Sequence, residues 1–358
     1  MSIRDIAKRA GVSPSTVSRV LNDPSHRCSS DGVRDRIWKI AREMNYLPNE
    51  AARSLKTGAA ASERAPRYID ILMTRSTRRQ AEPFFAELLR VIEAESQRQR
   101  CIISNVWSLP TPVGARRTRA GELELEGVLA PGASRSDGLI VLGKCVPGAF
   151  DRLVSAYRGN VVCVGRNSVG QKADEVLCDG ERLARVAVEH LIELGHTSIG
   201  YVGDCRNEAR CRGYQRTLLD HGLEPQVDAI IPCEHTEAAG YAVMKRLVQE
   251  AESSPTAIFC ATDAIAVGML RCLDELGGRY YRPSIISCDD IEAAQYTKPA
   301  LTTVALPKRE MGRYALWLLA DRMAGGHSAV TRMEVFGRLV VRDSCSLPSD
   351  ANGYAYVI

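Results

Sequence analysis

Only Gly11 and Val12 separate two stretches that each repeat apolar residues at helical spacing. Ile3, Ile6, Ala7 and Ala10 recur every three or four residues before that point, and Val17, Val20 and Leu21 recur after it. Ser2 followed by Asp5 reads as a capping signature for the first stretch, and Gly11 tolerates the positive φ that ends a helix. Ser13 is an N-cap type, and Pro14 suits the first helical position, where a missing N–H costs nothing. A third helix completes the unit: Ser30 can cap it, Val33, Ile37, Ile40, Ala41 and Met44 supply its buried face, and Asn45-Tyr46 closes it. The face left outside the second helix carries Ser15, Thr16, Ser18 and Arg19, which are short, polar and cationic.

In so small a tri-helical unit the second helix is the one presented to a partner, and such a face suits the major groove of DNA. The segments IRDIAKRAGVSPSTVSRVLND and REMNYLPNEAARSLKTG resemble the DNA-binding head of the LacI/GalR repressors, and the likeness runs through nearly the whole chain. The resemblance implies an all-α, lambda-repressor-like helix-turn-helix head over residues 1–46. An α/β two-lobed core of the periplasmic-binding-protein type I class would occupy 67–345. Residues 47–58 would be a hinge helix, 59–66 (AAASERAP) a linker and 346–358 a tail without leucine heptads. The hinge is too short to be a stable helix alone. In the resembled family it folds when two copies meet on operator DNA, and a leucine at the position of Leu55 is wedged into the minor groove. The implied DNA-facing set is Ser13, Pro14, Ser15, Thr16, Ser18, Arg19, Asn22, Asn49, Ala52, Arg53, Leu55 and Lys56.

Charge is distributed as this division requires. The chain carries a formal +4, but residues 1–60 hold eleven Lys/Arg against six acids, leaving +5 there and −1 elsewhere. Its 358 residues suggest two or three domains at roughly 100 to 200 residues each. A charged helix begins at once and no run of about 18 apolar residues occurs, so a cytoplasmic protein without membrane contact is expected. The twelve cysteines are scattered singly without a CxxC pair. Most sit in apolar runs (Cys163, Cys260, Cys288) and read as small core residues; neither zinc, another metal nor a cofactor is expected.

From Arg67 onward short apolar runs alternate with longer amphipathic ones. Strands are expected over 68–73, 102–106, 137–142, 161–164, 175–178, 199–203, 257–261 and 284–288, and helices over 84–99, 149–157, 183–194, 212–221, 237–249 and 264–276. Such alternation means parallel sheets flanked by helices. The resemblance divides them into one lobe of about 67–166 plus 296–326 and another of about 167–292 plus 329–345, with a ligand held at the carboxyl ends of the strands between them.

Six residues are candidates for that cleft. Phe84 and Phe85 stand where the family carries aromatics that stack on ligand rings, although a Phe pair at a helix start is also ordinary core. Arg210, in Arg-Cys-Arg-Gly-Tyr, matches the family's ligand-binding arginine, whose guanidinium can hold two neighbouring oxygens; Arg212 reads as a scaffold or solvated charge. Asp289 matches the family's ligand-binding aspartate, an acceptor for sugar hydroxyls. Thr262 replaces a frequent asparagine, His235 falls where some relatives have a stacking aromatic, and Gly165-Arg166 stands where an aspartate is frequent. The implied effector is a mono- or disaccharide, with a nucleobase as the alternative.

A DNA-bound homodimeric repressor is therefore the expected function. A sugar-transport protein shares the core but not the head. An enzyme would need a phosphate loop, an H-E-x-x-H pair or a nucleophile elbow, none of which occurs. Asp289 and Asp290, adjacent on a strand, point to opposite faces and cannot converge as an acid–base pair.

Overall fold

A computed structural model describes residues 3–22, 31–44, 66–74, 76–77, 80–108, 128–129, 136–143, 147–170, 172–206, 208–250, 254–276 and 281–348. The chain divides into two compact units, residues 1–66 and 67–358. In the first, α1 (Ile3–Ala10), α2 (Pro14–Asn22) and α3 (Asp31–Glu43) enclose Ile6, Val17 and Ile37, all fully buried, with Ala7, Ala10, Val20 and Ala41 beside them. Gly11 has φ 66°, and the Val12 N–H donates back to the Ala7 carbonyl at 3.1 Å, closing α1 as its glycine requires. Ser13 Oγ accepts from the Thr16 N–H at 3.2 Å, the cap its sequence position called for. The expected hinge and linker, with Asn49, Ala52, Arg53, Leu55 and Lys56, lie outside the described residues.

The second unit begins with β1 (Arg67–Met73), the short hairpin β2 (Ser76–Thr77) and β3 (Gln80–Ala81), α4 (Pro83–Arg98), β4 (Cys101–Ser108), β5 (Gly138–Leu142), α5 (Pro147–Ala156), β6 (Val161–Gly165) and β7 (Asp174–Leu177). It continues through α6 (Gly180–Glu193), β8 (Ile199–Val202), α7 (Ala209–Asp220), β9 (Ile230–Ile231), α8 (Glu237–Gln249), β10 (Ala257–Cys260), α9 (Asp263–Glu275) and β11 (Ser284–Asp289). The last elements are β12 (Thr302–Ala305), α10 (Lys308–Met323), β13 (Arg332–Glu334) and β14 (Arg338–Val340). Sheet one has the order β13-β7-β6-β5-β1-β4 and sheet two β14-β12-β11-β10-β8-β9. Every neighbouring pair is parallel except β12 with β14. Central strands such as β5 and β6 are buried at every residue, because helices cover both faces of a parallel sheet. The edge strand β4 instead alternates between shielded and exposed side chains.

The expected lobe boundaries need correction in three places. Residues 174–177, assigned to the second lobe, form β7 beside β6 in sheet one. Residues 302–305, assigned to the first, pair with β11 in sheet two, and 332–334 return to sheet one beside β7. Short apolar runs carry no label for their sheet; the unpaired edge available to each strand decides. The chain crosses near Asp179, near Pro307 and at 335–337, so each crossing lies at the carboxyl end of a strand. The cysteine reading also changes at one point. Cys163, Cys260 and Cys288 are free and buried as expected, but Cys205 and Cys211 form a disulfide with Cα atoms 5.2 Å apart.

Candidate functional site

On the head, α2 buries Val17 and Val20 and leaves Ser13, Pro14, Ser15 and Arg19 exposed, with Thr16 and Ser18 half-buried. The hydroxyls of Ser13, Ser15 and Thr16 gather at its first turn, Ser13 Oγ lying 2.8 Å from each of the other two. Hydroxyls gathered at a helix N-terminus are suited to a phosphate, and Arg19 follows one turn after Ser15 on the same side. The side chain of Asn22 lies outside the description.

In the core, strands of both sheets end around a buried polar cluster whose centre is Arg166, directly after β6. Arg166 Nη2 donates to Glu82 Oε1 at 2.8 Å and forms an ion pair with Asp289 Oδ1 at 3.2 Å. Glu82 precedes α4 beside sheet one, and Asp289 ends β11 in sheet two, so one guanidinium links the two lobes. The same group lies over the Phe84 ring at 4.5 Å and the Phe85 ring at 5.3 Å. The two rings meet edge to face at 5.0 Å and are buried. The faces expected to receive a ligand ring are thus covered by the protein's own planar cation.

Arg210 begins α7 and is fully buried. Its Nε donates to Glu208 Oε1 at 3.0 Å and its Nη1 donates to the Ala261 carbonyl. Glu208 also receives Asn167 Nδ2 at 3.3 Å, while Asn167 Oδ1 accepts the Ala209 N–H at 2.9 Å. Thr262, the N-cap residue of α9, makes no side-chain capping bond, and its buried Oγ1 has no hydrogen-bond partner; neither has Arg210 Nη2 or Arg166 Nε. Asp263 beside it is scaffold: its carboxylate accepts Ser287 Oγ at 2.5 Å, Thr303 Oγ1 at 2.6 Å and the Ile291 N–H at 2.8 Å. His235, half-buried, precedes Thr236 at the start of α8, beyond the carboxyl end of β9. Arg212 pairs with Glu181 at 2.8 Å on the exterior, the scaffold charge expected.

Two arginines therefore face three carboxylates, Glu82, Glu208 and Asp289, all of them buried. Burial pushes the Asp289 carboxyl above the usual carboxylate range; Arg166 and Arg210 oppose the push, and Glu82 and Asp263 add to it. Burial opposes the charge of Arg166, but Asp289 and Glu82 outweigh it and raise its pKa. Asp289 and Asp290 diverge: both have positive φ, 126° and 52°, and Asp290 pairs outward with Arg342 at 2.7 Å. Arg210 pairs with Glu208 and Arg166 with Asp289. Sequence reasoning missed Glu82, Arg166, Asn167 and Glu208 as cluster members. The signal at Arg166 was the basic residue at a strand end where relatives place an acid. Among the described residues no group of His, Cys, Asp and Glu could hold a metal ion, and no helix is long and apolar enough to cross a membrane.

Residues 2–49 match the family described as bacterial regulatory proteins, lacI family, and 188–345 match the periplasmic binding protein-like domain. The chain is 31% identical over 352 residues to the HTH-type transcriptional repressor PurR of Proteus mirabilis, covering 96% of each chain. It is 29% identical to the HTH-type transcriptional repressor MelR of Bacillus subtilis, covering 96% of this chain and 97% of that one. Among solved structures it resembles a transcriptional regulator CelR–cellobiose complex at 25% identity and a TM-score of 0.66, covering 96% of this chain and all of the other.

Proposed function

This chain belongs to the lacI family of bacterial regulatory proteins and is a DNA-binding transcriptional repressor, and on that premise we propose that a small effector bound between its two lobes sets its hold on operator DNA. In this reading Ser15, Thr16, Ser18 and Arg19 of α2 face the major groove, with Ser13, Pro14 and Asn22 at the ends of that contact. A second copy of the chain completes a symmetric dimer on a pseudo-palindrome. Asn49, Ala52, Arg53, Leu55 and Lys56 of the hinge reach the minor groove, and Leu55 acts as the wedge.

One observation carries the effector site: Arg166 Nε, Arg210 Nη2 and Thr262 Oγ1 are buried without partners in a cluster where strands of both sheets end. An unsatisfied buried polar group costs about 1–3 kcal/mol, and a polyhydroxyl ligand, which both donates and accepts, would satisfy these atoms together with Asp289. A mono- or disaccharide fits that chemistry, in keeping with the cellobiose named for the CelR complex. A nucleobase is the second reading, favoured by the planar guanidinium stacked on Phe84 and Phe85, whose place another flat, donor-bearing group could take. The test is thermal unfolding of the whole protein with a panel of mono- and disaccharides and nucleobases. A true effector at 100 times its Kd adds about 2.7 kcal/mol, and Arg210→Ala should abolish that shift. A shift that survives in Arg210→Ala would place the effector elsewhere.

A further inference from the structure

Cys205 and Cys211 bracket the loop that delivers Glu208 and Arg210 to the cleft. Their bond ties the segment after β8 to the first turn of α7, across six residues. On the far side the same loop is pinned by Asn167, which binds both Glu208 and the Ala209 N–H. Eight other described cysteines are free, six of them buried, so the bond marks one selected pair. Cys205 is half-buried and within reach of small molecules, whereas Cys211 is buried in the first turn of α7. A repressor works on DNA amid a reducing thiol pool, and disulfides of proteins in such surroundings are usually transient and redox-sensing.

We infer that Cys205 and Cys211 are a reversible thiol–disulfide pair that sets the order of the Glu208–Arg210 segment, and so couples the effector site to the thiol redox state. The coupling rests on the reading of Arg210 as an effector residue. The oxidant is a low-molecular-weight disulfide such as oxidised glutathione. The Cys205 thiolate attacks it, forming a mixed disulfide and releasing one thiol. The Cys211 thiolate then attacks the Cys205 sulfur, forming the internal bond and releasing the second thiol. Each cysteine gives up one proton; two protein thiols are oxidised and one small disulfide is reduced to two thiols. Oxidised, the loop is covalently closed around Glu208 and Arg210; reduced, the segment keeps its bonds from Asn167 and from Arg210 to the Ala261 carbonyl but loses the covalent tie between Cys205 and the first turn of α7.

The experiment uses the full chain equilibrated in reduced or oxidised glutathione, with alkylation and mass mapping of Cys205 and Cys211 and hydrogen exchange of peptides spanning residues 204–212. Both cysteines should alkylate in the reduced protein and neither in the oxidised one. Exchange in 204–212 should be at least tenfold faster when reduced, and Cys205→Ser should exchange at the fast rate under both conditions. A bond that never forms, one that reduced glutathione cannot open, or exchange indifferent to redox state each overturns the inference. The effector reading is judged separately with cellobiose, sucrose, ribose and guanine as thermal-shift probes. An Arg210→Ala protein that keeps a probe-induced shift would overturn the effector reading and leave the redox result standing.

Discussion

Arg19 stands one turn beyond Ser15 on the exposed side of α2, with Val17 and Val20 holding the opposite side in the core. A guanidinium so placed can bind a guanine edge through two bonds, which discriminates by about 1–3 kcal/mol against a wrong base. Arg19→Ala is therefore expected to relax sequence preference more than it weakens non-specific binding, measured by selection from randomised operators; full selectivity in the mutant would remove Arg19 from base readout. Residue chemistry of this local kind was legible in the chain, because Ser13 caps and Gly11 turns through bonds to near neighbours. The cleft was only half legible. Arg210 and Asp289 were identifiable, but their partners Glu208 and Arg166 depend on which side chains the fold brings together. A strand end announces a basic residue; it does not say that Glu82, 84 residues earlier, waits beside it.

Helix starts show the same limit at the scale of elements. Apolar periodicity suggested starts at 183, 212 and 264, whereas the helices begin at Gly180, Ala209 and Asp263, behind Asp179, Glu208 and Thr262. The first turn precedes the apolar stripe, so a reading by periodicity begins late. Packing between helices was not legible, and α8 and α9 show why: a Cβ on Gly240 would lie 2.0 Å from the Ile265 carbonyl oxygen, and one on Gly268 would lie 1.9 Å from that of Glu237. The backbones touch, so Gly268→Ala must force the helices apart and should lower stability by about 1–3 kcal/mol in urea unfolding. An unchanged midpoint would mean that this approach is looser than it stands here. At the end of α10, His327 Nδ1 lies 2.6 Å from Asp321, its Nε2 lies 2.8 Å from the buried Asp174, and Arg322 binds the same Asp174 through two bonds of 2.5 Å. The bonds to Asp321 and Asp174 raise the His327 pKa. A raised histidine stabilises fully below its unfolded value of about 6.5 and loses that contribution as pH climbs through the folded value. Thermal stability of the wild type should therefore fall across that window more steeply than that of His327→Asn; parallel profiles would sink the assignment.

Charged side chains join the lobes at several points of the core, among them Arg182 with Glu334 of β13 at 3.6 Å. Arg166 reaches Asp289, and Lys308, at the second crossing, binds Glu87 on α4 and the Asp290 carbonyl beyond β11. Sequence alone placed the crossings at the wrong residues, because strand runs of equal character can join either sheet, and so it could not show that a basic residue after β6 would face an acid across the cleft. An effector touching residues of both lobes favours their closed arrangement, and it can shift that equilibrium only by its difference in affinity for the two states. Removing a link without an effector favours the open arrangement instead. Arg166→Met leaves Asp289 buried without the cation it pairs with, at a cost of about 3–5 kcal/mol, so it is compared with Arg166→Met/Asp289→Asn, which relieves it. If lobe closure carries the signal, loss of the link and saturation with effector must move operator affinity in opposite directions. By linkage, the effector must bind the DNA-bound protein more weakly or more tightly by the same factor with which it alters DNA binding, typically worth about 1–3 kcal/mol. The measurement is operator affinity of the two variants without effector, beside that of the wild type with and without it. Shifts in the same direction in both variants and effector-bound wild type would show that operator affinity is set by something other than lobe closure.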